Sequence, residues 1–195
     1  MRKGGVYLAI GDSISWTIPS EVDAPGRNLY SYRLWHAINK DYAPIRHINR
    51  GYGGSHSHDL LDRLHIFALG VPYDLVTIQI GMNDMMDTVE NFQSDVETII
   101  DKLKTYRPNC EIVLCGIPPV DPVTQANRHE KRPTFNAKLN EIATNNEGVY
   151  FADFSSAYDL TRIPDGIHPD SDGHRLLFEI LYPVVQTTNF VSRLS

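Results

Sequence analysis

Cysteine is scarce in this chain, with two in 195 residues; long apolar runs are missing, and basic side chains are outnumbered by acidic ones, 18 to 24. Each shortage excludes something. Cys110 and Cys115 bound the start of one apolar run that ends at Ile117. If that run is a strand, they stand about 16 Å apart at ~3.3 Å per residue and on opposite faces, too far to pair. Two unpaired thiols fit a reducing compartment. The longest apolar runs are five to eight residues, against the roughly 20 that a spanning helix needs, so no membrane span is expected. After Met1-Arg-Lys-Gly-Gly the apolar stretch Val6 to Ile10 is too short for the core of a secretory leader, and the expected location is cytoplasmic.

A formal net charge of −6, with no cluster of lysine and arginine, leaves nothing to neutralise phosphates, so a nucleic-acid partner is not expected. The densest basic stretch, Arg128 to Arg132, is broken by Glu130 and reads as a solvated loop. Glycines 51, 53 and 54 lack both the Gly-x-Gly-x-x-Gly spacing and a following Lys-Ser/Thr, so they do not make a nucleotide site. There is no internal repeat, low-complexity tract or linker, and one domain over residues 1–195 is expected.

What is present begins with Val6-Tyr-Leu-Ala-Ile-Gly-Asp-Ser13, an apolar run that stops abruptly. Such a run reads as a strand buried on both faces, with Ser13 on the turn beyond its C-terminal end. After a long loop, residues 14–28, Leu34, Trp35 and Ile38 recur at helical spacing within residues 29–39. A short strand over 45–49 follows, then a helix carrying Leu60, Leu61, Leu64, Phe67 and Ala68, closed by Gly70 and Pro72. A third strand over 74–80 precedes a helix over about 91–105 with Val96, Ile99, Ile100 and Leu103 on one face. A fourth strand (112–115) leads into a proline-rich loop (116–132). Then come a helix marked by Phe135, Leu139, Ile142 and Ala143, a fifth strand (149–151), and a last helix with Leu176, Leu177, Ile180 and Leu181, ended or kinked by Pro183. Five alternations of strand and helix predict an α/β fold, a three-layer α/β/α sandwich around a flavodoxin-like parallel sheet of order 2-1-3-4-5.

That topology sends the ends of strands 1, 2 and 3 and the loop before the last helix to one edge, bringing Ser13, Gly54, Asn83, Asp165 and His168 within reach of each other. A serine hydroxyl is a poor nucleophile near neutral pH and needs a base, for which His168 is the candidate. A carboxylate three residues earlier, Asp165, can fix the imidazole's tautomer and orientation. The oxyanion formed on attack needs donors already in place: the backbone N–H groups of Ser13 and Gly54 and the Asn83 side-chain amide. Activity would fall on the acid side as the imidazole is protonated.

The four stretches Ile10-Gly-Asp-Ser13, Asn49-Arg-Gly-Tyr-Gly-Gly54, Gly81-Met-Asn-Asp84 and Asp165-Gly-Ile-His168-Pro169, in that order, resemble the four blocks of the SGNH, or GDSL, hydrolase superfamily. The resemblance spans residues 6 to about 180, and the one small departure is Ile14 where many members have leucine. It implies hydrolysis of a small-molecule ester or thioester with Ser13 as nucleophile, His168 as base, Asp165 as its partner, and Gly54 and Asn83 in the oxyanion hole. Carbohydrate deacetylation, lysophospholipid cleavage and thioester hydrolysis are the competing substrates; no cofactor and no metal is expected. A catalytically silent binding module on the same sheet and a flavodoxin-like cofactor domain are the competing classes, and the complete residue set speaks against the first.

Other residues read more plainly. Asp12 caps the turn, and Asp84 orients the loop around Asn83. His56 and His58, with His65, invite a metal reading, but on one helix positions 56 and 58 diverge, which favours a solvated surface. His174, inside the last helix, reads as a surface or capping residue. Trp16, Tyr30, Tyr52, Met82, Met85 and Met86 fall in or near the loops that rim the site, where packing and substrate contact are both open to them.

Overall fold

β1 (Val6–Gly11) takes an interior place in the sheet because an uninterrupted apolar strand is stable only where both faces are covered, and five of its six residues are buried. The computed structural model describes residues 4–16 and 28–195; the expected loop over 14–28 lies largely outside them. The remaining elements are α1 (Tyr30–Asp41), β2 (Arg46–Gly51), α2 (Ser57–Asp62), β3 (Leu75–Gln79), α3 (Val89–Tyr106), β4 (Glu111–Cys115), α4 (Ala126–Asn145), β5 (Val149–Ala152), α5 (Ser171–Gln186) and the short α6 (Asn189–Ser192). All strand pairs are parallel and the order is β2-β1-β3-β4-β5, as expected.

Right-handed crossovers that run first to one side of β1 and then to the other put helices on opposite faces. α1 therefore packs with α5 on one face, and α2, α3 and α4 pack in sequence on the other. α3 shows why the pattern works. Thr88 caps its start by accepting the Asn91 N–H, and Phe92, Val96, Ile99, Ile100 and Leu103 all turn into the core. Burying each such side chain contributes about 1.5–3 kcal/mol. Cys110 and Cys115 are buried and unpaired. Among the described residues no helix is long and apolar enough to cross a membrane.

Three elements differ from the sequence reading. The helix expected across 60–68 is broken: α2 stops at Asp62, and residues 65–69 form a π-helical turn. The basic stretch 128–132 is helical, inside α4, rather than a loop. Pro133 and Pro183 lie inside α4 and α5 without ending them, because both are on the solvent side, where the carbonyl each leaves unbonded faces water.

His174 is also not a surface residue. It is 4% exposed, its ring stacks on Tyr30 and its Nδ1 has no partner, so burial pushes its pKa down to about 3. His47, stacked on Tyr7, is pushed down to about 4 by burial. Between these values and the ordinary 6.5, the unfolded chain takes up protons that the fold refuses. The stability from these neutral imidazoles is therefore complete above pH 6.5 and drains away as the pH falls. Replacing His174 by phenylalanine is expected to remove its share: the variant should gain on the wild type by at most about 1.4 kcal/mol per pH unit below that point. Urea midpoints at pH 7.5 and pH 5 check this; an equal difference at both would contradict it.

Candidate active site

The strand ends set the site. Gly11 pairs with Gly51 on one side and Gln79 on the other, so β1, β2 and β3 finish on one row. The segments carrying Ser13, Gly54 and Asn83 leave that row together, at the point where the strand order reverses. Gly11 has φ +149°, and a Cβ there would sit 1.9 Å from the Gln79 carbonyl oxygen, so only glycine fits. Asp12, fully buried, then donates its N–H to Gln79 O at 3.0 Å. Its Oδ1 accepts the Ile14 N–H at 3.0 Å, as expected of a turn cap. Burial pushes its carboxyl up to about 7, against the pull of the Ile14 N–H.

β2 supplies the second segment. Asn49 accepts the Gly51 N–H through Oδ1 at 2.8 Å and donates Nδ2 to Ser15 O at 2.8 Å, tying the loop after β1 to the strand beside it. Gly54 has φ +76°, and among the described residues other than its chain neighbours no atom lies within 4 Å of where its Cβ would be. Glycine is needed there for the backbone conformation. Asn83, after β3, donates one amide N–H to Ser55 O at 2.9 Å, which places it beside Gly54; among the described residues no acceptor takes its second N–H. Among the described residues no acceptor takes the backbone N–H of Ser13 or Gly54. Asp84, buried, accepts the Ser57 N–H at 2.7 Å and its hydroxyl at 2.5 Å, which holds the loop around Asn83.

The fourth segment closes on the first. Asp165 Oδ1 accepts the N–H groups of Ile167 at 2.9 Å and His168 at 2.7 Å, forming a tight turn. Its other oxygen is 2.6 Å from His168 Nδ1, and His168 Nε2 is 2.8 Å from Ser13 Oγ. Burial raises the Asp165 pKa, but the His168 N–H, the His168 ring and the Ile167 N–H outweigh it and hold the carboxyl below its ordinary value. An ionised carboxylate cannot donate, so Nδ1 carries the proton and donates to it. Nε2 of the neutral ring is then the acceptor for the Ser13 hydroxyl. Residues 155 positions apart are in direct contact.

The six aromatic and methionine side chains in or near the rim loops divide between the two roles left open to them. Tyr30, Met82 and Met85 are buried in the core, whereas Trp16, Tyr52 and Met86 are exposed. Trp16 covers Gly53, where a Cβ would lie 2.6 Å from its ring, and stacks on Tyr52. The basic side chains of α4, read from sequence as solvated, brace the site from behind: Arg128 donates to Met82 O, Lys131 to Met85 O and Arg132 to Ser155 O. No sequence signal distinguishes them from surface charge, because their acceptors are backbone carbonyls far along the chain.

Residues 9–176 match the GDSL-like Lipase/Acylhydrolase family. The acetylxylan esterase Axe2 of Geobacillus stearothermophilus superposes with a TM-score of 0.78 at 20% identity, covering 98% of this chain and 99% of that one. A putative lipolytic protein of the G-D-S-L family from Desulfitobacterium hafniense gives 0.73 at 19% identity, covering 93% and 99%. Among curated proteins, the platelet-activating factor acetylhydrolase IB subunit alpha2 of Homo sapiens is 24% identical over 115 residues, 58% of this chain and 47% of that protein. The match thus spans about half the length of that relative. With the family matched over most of its length and the fold shared with members of known structure, this chain belongs to the GDSL-like lipase/acylhydrolase family of ester hydrolases.

Proposed function

We propose that the protein is a serine esterase that works through an acyl-enzyme, with Ser13 as nucleophile, His168 as general base and Asp165 as its orienting carboxylate. The observation that carries this reading is the unbroken run of contacts from Ser13 Oγ through His168 to Asp165, at 2.8 and 2.6 Å. Ser13 Oγ attacks the acyl carbon while its proton passes to His168 Nε2. The negative oxygen that results faces the N–H groups of Ser13 and Gly54 and the second N–H of Asn83. Collapse expels the alcohol, which takes the proton back from His168. Water then attacks the acyl carbon as it gives a proton to the same nitrogen, and the second intermediate collapses to the free acid as Ser13 Oγ departs and takes that proton back from His168.

The acyl group we propose is short, acetyl above all. The names of an acetylxylan esterase of the same fold and of an acetylhydrolase among the relatives both carry that group. Removing the Asn83 donor is expected to cost about 3 kcal/mol, a hundredfold or more in kcat. A second test is Asn83→Asp, which keeps the side chain's size but can donate neither to Ser55 O nor to the oxyanion and aims a charge at it, and should be at least as slow. Steady-state rates on p-nitrophenyl acetate measure both, and an unchanged Asn83→Ala rate removes this residue from the oxyanion hole. A series from acetate to octanoate beside acetylated sugars reports the acyl group; a rate that rises with chain length would contradict the short-chain reading.

A further inference from the structure

The second block runs on into His56-Ser57-His58-Asp59, a segment with no part in the chemistry above. Read as helix, positions 56 and 58 diverge. In the structure they do not, because His56 is the N-cap of α2, with extended backbone (φ −89°, ψ 171°), and so stands outside the helical repeat. Its ring stacks on that of His58 with centroids 5.1 Å apart and planes 23° apart.

Asp59, at the third helical position, completes the group. Its Oδ2 accepts the His56 backbone N–H at 3.0 Å, which fixes the carboxylate, and lies 3.4 Å from His56 Nδ1. Its Oδ1 faces His58 Nε2 at 3.7 Å. One potential ligand atom from each of the three residues lies within 4.8 Å of the others. Metal–ligand bonds of about 2.0–2.2 Å in a tetrahedral zinc site put neighbouring ligand atoms about 3.3–3.6 Å apart. Each imidazole already stands near that value from one oxygen of Asp59, a different oxygen for each, so a common ion requires the two rings to turn toward the same oxygen. On the other side of His56, Asp87 Oδ2 is 3.9 Å from Nε2.

We propose that His56, His58 and Asp59 form a binding site for a divalent transition-metal ion, zinc foremost, with the fourth position left to water. Two imidazoles and one carboxylate are ligands that zinc accepts, and the carboxylate is already oriented by the backbone N–H bonded to it. The ion takes no part in ester cleavage. It fixes the start of α2, a segment the protein already joins to the turn after Asn83 through Ser55 with Asn83 and Ser57 with Asp84.

The test is calorimetric titration of the metal-stripped, full-length protein with zinc chloride. The expected result is one equivalent bound with a Kd on the order of 10⁻⁶ M. At a hundredfold excess of zinc over Kd, Tm should rise by about 5–10 °C. His58→Ala should weaken binding at least tenfold and abolish the rise; this ring is mostly exposed and bears no backbone contact, so the fold is preserved. His65→Ala, in the neighbouring turn, should change neither. Absence of stoichiometric binding at about 100 μM zinc overturns the proposal. Binding that survives His58→Ala also overturns it, since the ion would then sit elsewhere, for instance on His168.

Discussion

Replacing Ser13 by alanine is expected to lower kcat on an acyl ester by about 10⁶-fold, with a residue of about 10³–10⁴ over water left by the oxyanion donors and substrate binding. The loss is this large because without the hydroxyl no acyl-enzyme forms, and His168 alone holds a water less well than it holds a neighbouring alcohol. His168→Ala should cost nearly as much, and the double variant little more, since the two groups act as one unit. Stability should barely move: among the described residues the only side-chain hydrogen bond of Ser13 is the one to His168, in a half-buried site. Loss of labelling by a fluorophosphonate, with an unchanged urea midpoint, is the paired measurement. A Ser13→Ala enzyme within tenfold of wild type would exclude the proposed nucleophile.

Asp165→Asn is expected to lower kcat by about 10⁴-fold. The cause is a proton on the wrong nitrogen. Asp165 Oδ1 holds the N–H groups of Ile167 and His168, so the amide oxygen of an asparagine keeps that place and its NH₂ turns to His168 Nδ1. Nδ1 must then accept, the ring proton moves to Nε2, and Nε2 can no longer take the proton of Ser13. Stability offers a contrast: Asp165 is 44% exposed and His168 22%, and a pair this open to solvent contributes about 0–1 kcal/mol. Activity should therefore collapse while Tm stays within a few degrees. If kcat fell less than tenfold, the carboxylate would be a turn-former and nothing more.

The architecture was legible in the sequence because the central strands are buried on both faces, and continuous apolar runs such as Val6–Ile10 and Ile112–Cys115 have no other stable place. The site was legible because its residues sit one to four positions beyond strands or in tight turns, where the chain's own geometry limits the choice. Tertiary contacts hid the rest. The start of α4 buries almost nothing and shows no apolar stripe until Phe135; it is held by Arg128, Lys131 and Arg132 reaching across to carbonyls. For His174 a signal was present and outvoted. The buried positions of α5 are Gly173, His174, Leu177, Leu181 and Val185, and from His174 onward they form a regular helical face on which a polar residue type obscured its place. For His56 the helix boundary decided the geometry, and boundaries are set by caps that the periodicity does not mark.

Ser13 belongs to the turn that follows the chain's first strand, and His168 to the segment that leads into α5, which packs against α1. Contact between groups so distant along the polypeptide is among the costliest to form, because the whole intervening length must be ordered before the contact repays the closure. On dilution from urea, far-ultraviolet ellipticity should return ahead of reactivity toward a fluorophosphonate. The enzyme's own nucleophile would thus serve as a clock for the last step of its folding.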